Sequence, residues 1–594
     1  MTGAAGTGTG TAGTTGTTGT AGSAAARVRA ALDRLAAVDH PEAWTVLRPA
    51  EDLLAEAAAI DAAVADGADL PLAGTVLGVK DNIDVAGLPT TDGFPGAARL
   101  PERDAVAVAR LRAAGAVVLG KTQLDQFATG LVGTRVPGGP VRHATVLGRI
   151  AGGSSAGSAV AVALGVVDLA LGTDTAGSGR VPAALHGIVG IKPTLGLVPV
   201  LGMSDACRPY DTVTVLARDL DLAVAGARTV AGPDPADGLS RTRPDDAPLA
   251  APDRPVLAVP DDAVLDVLTP AARTAWAVAR ARAAEVADLR TVDVRPFLAA
   301  ARLLYEGAIV AGRYAAAGAT VTAATPAAAP LLDPTVRGIV EGAARPAAWE
   351  YVRDRKTLDG TAVLLRRTLD GCDALLLPTA PGHPTLAEVQ ADPVGVNAWM
   401  GTFTNFVNLL DLCGVAVPVP APTAPGARAA TDDERFGVTV LAPAFHDDVA
   451  VDLAARLLAV PAPRWQPGVP LLVVGAHLRG QPLHDELERL GARYVGPAET
   501  AARYRLHALA TRPAKPGLVP VASGGAHVPG ELYDLPVGGL GRLLAALPAP
   551  MTLGPVELAD GRTVTGFGCA ADALDGATDI TAHGGWREHL AAGR

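Results

Sequence analysis

The sequence predicts an α/β protein: a central mixed sheet covered by helices, followed by a second, smaller mixed α/β unit. Three observations carry this. Short apolar strands alternate with helical stretches from residue 25 to beyond residue 182. Glycine-rich turns follow several of those strands. Finally, the segment 461–470 (PAPRWQPGVP) interrupts the pattern, and a fresh apolar strand begins after it.

At 594 residues, 49% hydrophobic and 19% charged, the chain is long enough for two to four domains and can bury a sizeable core. The net charge of −11 argues against a nucleic-acid partner or an anionic membrane surface, though it says nothing of a local cationic pocket. Cys207, Cys372, Cys413 and Cys569 are scattered and form no C-x-x-C pair. That disfavours a disulfide scaffold or a thiolate zinc site and fits a reducing cytoplasm. The eleven histidines include no H-E-x-x-H, the spacing of one common zinc site. The richest apolar run, 159–172, is too short to span a bilayer and carries Asp168.

In order, residues 1–24 are a Thr/Gly/Ala repeat that cannot bury enough surface to offset its ordering entropy, so a disordered tail is expected. It lacks the basic start and leucine-rich core of a signal peptide. Residues 25–65 read as helical, with Val28, Leu32 and Leu35 on one face. Residues 74–85 (GTVLGVKDNIDV) form an apolar strand carrying a lysine; 105–115 reads as a helix and 116–120 as a buried strand. The segment 159–171 has room for one helix and one short strand. Residues 232–254, rich in Asp and Pro, form a surface loop. Residues 372–377 are a strand leading into a turn, and 402–413 a helix before the strand 415–419. The domains expected are 25–460 and 471–594, joined by the linker 461–470.

Two glycine-wrapped serine turns stand out, around Ser154 (GGSSAGS) and Ser178 (GTDTAGSGR), 24 residues apart across a buried element. Flanking glycines let backbone N–H groups approach a ligand closely. A serine nucleophile needs a base, and His186 is the one histidine beside either turn. A lone strand lysine is usually a snorkelling edge residue. Beside two such serines, however, Lys80 is a candidate base once burial lowers its proton affinity. Bringing it near neutrality costs roughly 4 kcal/mol, at about 1.4 kcal/mol per pH unit. The N–H groups of Thr175, Ala176, Gly177 and Ser178 are suited to converge as an oxyanion hole, though a ligand-free strand-to-helix turn would look similar. Residues 153–157 also match G-x-S-x-G, but the nucleophile-elbow reading leaves Lys80 and the Ser178 turn without roles.

These motifs, a lysine, a GGSS turn and a GTDT-x-GS turn in this order and spacing, make residues 72–220 resemble the amidase-signature hydrolases. The resemblance implies that Ser178 is the nucleophile, Ser154 a bridging serine on a cis peptide, and Lys80 the terminal base. It gives Ser155 a supporting hydrogen-bonding role and has Asp174 and Arg180 brace the turn; Ser158 reads as a small packing residue. Ser178 would attack an amide carbonyl, its proton passing through Ser154 to neutral Lys80. Ammonia would leave, and water would cleave the acyl-enzyme.

Beyond residue 25 nearly the whole chain is similar to the allophanate hydrolases of that family, through GTDTAGSGRVP (172–182), LPTAPGHPTLAEVQADP (377–393) and TNFVNLLDLC (404–413). By that resemblance Tyr305 and Arg313 lie on a substrate-binding helix. Eight residues apart, they would sit ~80° around its axis, so both could face one pocket. An arginine fork suits a small carboxylate such as that of allophanate. The segment 143–147 departs from the family, with His143 opening a stretch that usually reads Asn-Ala-Phe-Asp-Pro, and Ala156 replaces Ser or Gly. The C-terminal segment, with VVGAHLRGQPLHDEL and DITAHGGWREHL, resembles the extra domain of full-length allophanate hydrolases. That domain is expected as a small mixed α/β barrel, similar to gamma-glutamylcyclotransferase-like domains, processing the carboxylated carbamate that the amidase releases. His477, then His484, is its candidate acid or base. The resemblance implies a cytoplasmic enzyme functionally linked to a urea carboxylase in urea degradation, with no cofactor, and a homodimer is among the assemblies it admits. The rivals are an acylamidase or the amidase component of a transamidation complex; a catalytically dead, binding-only fold is disfavoured by the intact Lys80, Ser154 and Ser178.

Overall fold

An eleven-stranded mixed sheet forms the centre of the larger unit in the computed structural model, which describes residues 22–419 and 435–592. Val76–Lys80 lies in its N-terminal half, flanked on both sides by parallel neighbours, Val117–Thr122 and Leu169–Asp174. All three are buried along their full length, as expected of parallel strands covered on both faces. The sheet then runs antiparallel through Thr212–Ala217, Val189–Lys192, Leu412–Pro418, Gly437–Pro443 and Ala374–Pro378, and closes with the parallel strands Val256–Pro260 and Asp288–Val292. Helices pack on both faces around an Ala/Val/Leu core.

Several element expectations need correction. The expected tail lies outside the described residues up to residue 21; Ser23 is ordered and its hydroxyl caps the helix Ala24–Ala37. The stretch read as helical to residue 65 is broken by Trp44–Leu47, which pairs antiparallel with Val117–Thr122 at the sheet edge. Here β-branched and aromatic residues, placed beside an open sheet edge, outweigh helical periodicity. The helix expected over 402–413 is shorter, Asn405–Leu409, because Leu412 and Cys413 already belong to a strand.

The C-terminal strands divide between a five-stranded mixed sheet and a three-stranded antiparallel sheet, so hydrogen bonding does not join them into the single barrel expected. Residues 461–470 are no free linker: Trp465 is fully buried in the larger unit's core, and the next strand already starts at Val469. Nor is 232–254 a bare surface loop. Leu249 is buried, its amide donates to Gly491, and its carbonyl accepts from Arg493, so the loop is the bracket on which the C-terminal unit docks. Among the described residues, no helix is long and apolar enough to cross a membrane.

The departure at residues 143–147 has a structural use. His143 donates from Nε2 to Leu185 O at 2.9 Å and accepts the amides of Thr145 and Val146 at Nδ1. Its ring stacks on His186 at 4.1 Å and leans on His383 at 5.0 Å. Burial pushes His143 down to about 4 and His383 to about 3, so this trio is held neutral. Above about pH 6.5 folded and unfolded forms are both neutral there. Below that, the unfolded chain takes up protons the fold refuses, and stability falls until about pH 4. Urea unfolding between pH 7 and 4.5 should therefore show a falling midpoint, and His143→Asn should make that fall shallower by roughly 2–3 kcal/mol. An unchanged slope would show that His143 carries none of the acid sensitivity.

Candidate active site

Lys80 ends its strand completely buried, where the carboxyl ends of parallel strands meet the start of helix Ala156–Ala163. Its Nζ reaches Ser154 Oγ at 2.8 Å and Thr173 Oγ1 at 2.6 Å, and Asn82 Nδ2 also donates to Thr173 Oγ1. The Gly153–Ser154 peptide is cis. Burial drives Lys80 down to about 7; Asp125, Asp174 and Asp211 pull it back up, while Arg313 pushes it further down. At neutral pH a large fraction of this amine is free to accept a proton.

Ser178 is 2% exposed, with Oγ facing Gly130 O at 3.5 Å. The two serine turns are tied directly, since Ser155 N–H donates to Ser178 O at 3.2 Å. Ser155 Oγ spans Thr173, accepting from its amide and donating to its carbonyl. The Lys80–Ser154 contact is thus made, whereas Ser178 Oγ finds its hydrogen bond among the described residues at Gly130 O. Ser158 lies between Thr122 Oγ1 and Leu171 O, a buried packing position.

Asp174 braces the second turn. Its carboxylate takes Arg180 Nη2 at 2.8 Å and Nε at 2.9 Å and also accepts the amides of Gly177 and Gly179. Burial pushes the acid up, but Arg180, with Lys192 and the Gly177 amide, outweighs it and holds Asp174 below the usual carboxylate range. Because both ions are fully buried, removing either one strands the other at about 3–5 kcal/mol. This corrects the expected oxyanion hole: the Gly177 amide is already bound to Asp174 at 2.8 Å. The amides of Thr175, Ala176 and Ser178 have no acceptor among the described residues, so these three remain as donors. Gly177 has φ +123°, and a Cβ there would run into Thr404, so the turn requires glycine.

Tyr305 and Arg313 meet, though not on one helix. Tyr305 follows the short turn Arg302–Leu304, and Arg313 sits in the separate helix Ala311–Thr322; Gly307 and Ala308–Val310 intervene. Arg313 Nη2 donates to Tyr305 OH at 3.0 Å, and Nη1 donates to Ala128 O at 3.0 Å and Thr129 Oγ1 at 3.2 Å. Phe127 and Ala128 both take positive φ, which turns their carbonyls onto this guanidinium. Its Nε is buried without a partner among the described residues. Tyr305, the partner of Nη2, lines a cleft of about 770 Å³ together with Arg135, Asn397 and Asn405.

In the C-terminal unit, His477 lines a small cavity of about 40 Å³ with Glu486, Lys515 and Phe567. Its Nε2 donates to Glu486 at 2.9 Å, and its ring stacks on Phe567 at 4.7 Å. Burial lowers its pKa, partly offset by Glu486. His484 is elsewhere: it faces Asp253 at 3.3 Å, on the bracket between the two units.

The comparisons agree with this layout. A family model described as Amidase matches residues 26–451. The chain belongs to the amidase family. A second model, described as the allophanate hydrolase C-terminal domain, matches residues 469–591. The urea amidolyase of Lachancea kluyveri is 39% identical over 554 residues, covering 88% of this chain, and this chain spans only 30% of that relative's length. A glutamyl-tRNA(Gln) amidotransferase component from Acidothermus cellulolyticus is 45% identical over 219 residues, covering 36% of this chain and 43% of its own. Among solved structures, Kluyveromyces lactis allophanate hydrolase superposes with a TM-score of 0.82 at 36% identity, covering 96% of this chain and 97% of its own. The fold is therefore the amidase-signature α/β fold followed by a mixed α/β C-terminal domain.

Sequence reasoning missed Thr173, Asn82, Asp125 and Asp211. Thr173 and Asn82 are polar residues at the ends of otherwise apolar strands, a signal available but unused. Asp125 stands in no motif, and Asp211 reaches Thr175 Oγ1, at 2.5 Å, only through the fold.

A lysine base must be neutral to act, so activity should rise with pH and level off above the pKa. The acid limb of kcat/KM for amide hydrolysis is expected near pH 7, and a limb below pH 5 would remove Lys80 from that role.

Proposed function

We propose that this amidase-family chain is an allophanate hydrolase, with residues 25–460 as the amidase unit and 471–594 as a second catalytic unit. The observation that carries the substrate assignment is Arg313, fully buried, held by Tyr305, the carbonyls of Phe127 and Ala128 and the Thr129 hydroxyl, with Nε left for a ligand. A buried, oriented guanidinium is an anion site, and a urea bearing a carboxylate supplies both the anion and an amide. The two matched family models and the full-length likeness to an allophanate hydrolase support the same reading.

In this mechanism Ser178 Oγ attacks the terminal carbonyl, giving its proton through Ser154 to Lys80. The amides of Thr175, Ala176 and Ser178 receive the oxyanion. The tetrahedral intermediate expels ammonia, which takes the proton back from the relay. Water then attacks the acyl-serine with Lys80 again as base, releasing the carboxylated carbamate. His477, oriented by Glu486, handles that product in the C-terminal unit, where loss of carbon dioxide leads to the second ammonia. Such an enzyme would act after a urea carboxylase, in the cytoplasm. The transamidation rival rests on partial-length similarity and leaves the C-terminal unit unused.

Ammonia release should be measured from allophanate, malonamate, biuret and simple acylamides. Rapid turnover of allophanate is expected, with no turnover after Ser178→Ala, which should stay folded. Arg313→Ala should cost at least 100-fold in kcat/KM on carboxylated substrates. Preference for uncharged amides would discard the allophanate assignment and leave the serine–lysine chemistry standing. His477→Asn should release the first ammonia at the normal rate and accumulate carboxylated carbamate, detectable by 13C NMR. Unimpaired carbon dioxide release would remove His477 from that role.

A further inference from the structure

Asp125 is a fully buried carboxylate to which the mechanism above gives no part. It follows strand Val117–Thr122 and precedes the short turn Gln126–Ala128. Its Oδ2 accepts the Gly133 amide at 3.0 Å, and its Oδ1 the Arg135 amide at 2.9 Å. Its own amide donates to the carbonyl of Ser154 at 3.2 Å. The carboxylate also lies flat against Gly153 and Gly130, where a Cβ on either glycine would run into it. Gly153 precedes the serine that touches Lys80, and Gly130 carries the carbonyl that faces the Ser178 hydroxyl. One side chain therefore packs against the backbone on both sides of the relay.

The other carboxylates near Lys80 are already committed. Asp174 is paired bidentately with Arg180, and Asp211 holds the Thr175 hydroxyl and the amides of Ala206 and Cys207. Asp125 is held by the backbone amides of Gly133 and Arg135, which stabilise a carboxylate without cancelling its charge, and unlike Asp174 it has no ion-pair partner among the described residues. We propose that Asp125 is a positioning residue of the relay, a fixed buried anion that registers the Ser154 turn on Lys80 and makes its amine a competent proton acceptor. This rests on the serine–serine–lysine reading. The charges that face Lys80 are Asp125, Asp174 and Asp211, which favour its protonated form, and Arg313, which disfavours it; of the three acids Asp125 acts most strongly. Burial raises Asp125 itself, and Arg135 with the amides of Arg135, Gly133 and Val132 opposes that rise.

The test is the pH dependence of kcat/KM for Asp125→Asn and Asp125→Glu, on whichever amide the wild-type enzyme turns over. Removing the anion lets the Lys80 proton leave more readily, so the acid limb of Asp125→Asn should move to lower pH by about one unit or more. Its plateau should fall at least tenfold as the base weakens. Asp125→Glu keeps the charge and should keep the limb within a few tenths of a pH unit of wild type. A slower enzyme with an unmoved limb, a limb moved to higher pH, or an Asp125→Asn protein that fails to fold by circular dichroism would assign the carboxylate to architecture and overturn the proposal. Turnover surviving in Ser178→Ala or Lys80→Ala would instead refute the relay itself, whatever Asp125→Asn does.

Discussion

A completely buried lysine side chain is the constraint on which the rest of the site depends. An ammonium in that position would be heavily penalised, so Lys80 drifts toward the neutral amine, the form that can take a proton from a serine. Complete dryness would leave the amine too weak a base, and complete pairing with a carboxylate would lock it as a cation. The structure lies between these limits. Hydroxyls of Ser154 and Thr173 touch the amine, and the surrounding acids act on it without forming an ion pair with it.

That balance requires the neighbouring charges to be immobile, and the packing arranges it. Asp174 and Arg180 neutralise each other beneath the serine turn while Asn408 ties the turn's backbone to Tyr210. Glycines at 130, 153 and 177 leave no room for a Cβ, because the side chains of Asp125 and Thr404 press directly against their backbone. Small residues here set distances, and the fully buried ion pair sets the field. Arg313 follows the same principle. Its guanidinium is oriented by two carbonyls from positive-φ residues and by Tyr305, so little side-chain entropy is left to lose when an anion binds.

The C-terminal unit has its own core and its own cavity, yet it is not loosely tethered. Trp465 anchors the connection in the larger unit, and Arg493 reaches the buried Asp448 as well as the Leu249 carbonyl. Polar contacts add to this junction: Arg479 and His484 both converge on Asp253. A histidine that looks catalytic by its sequence neighbours is here part of the seam between two units.

Sequence alone determined the class of fold and singled out the candidate residues that the fold brings to one place. Lys80, Ser154 and Ser178 were legible because glycine-wrapped serines and a strand lysine are local patterns, and strand alternation is likewise local. The linker, the loop 232–254 and the helix assigned to Tyr305 and Arg313 were misread, because each depends on what packs against it. Trp465 reads as a linker residue until a core closes over it. Gly177 reads as an oxyanion donor until Asp174 turns back to take its amide. Asp125 carries no signature because its importance comes from its neighbours in space, Gly130 and Gly153, and from an amine supplied by another strand. Local pattern specifies which groups are present. Burial and through-space charge specify their protonation and orientation, and only the tertiary structure brings those contributions together.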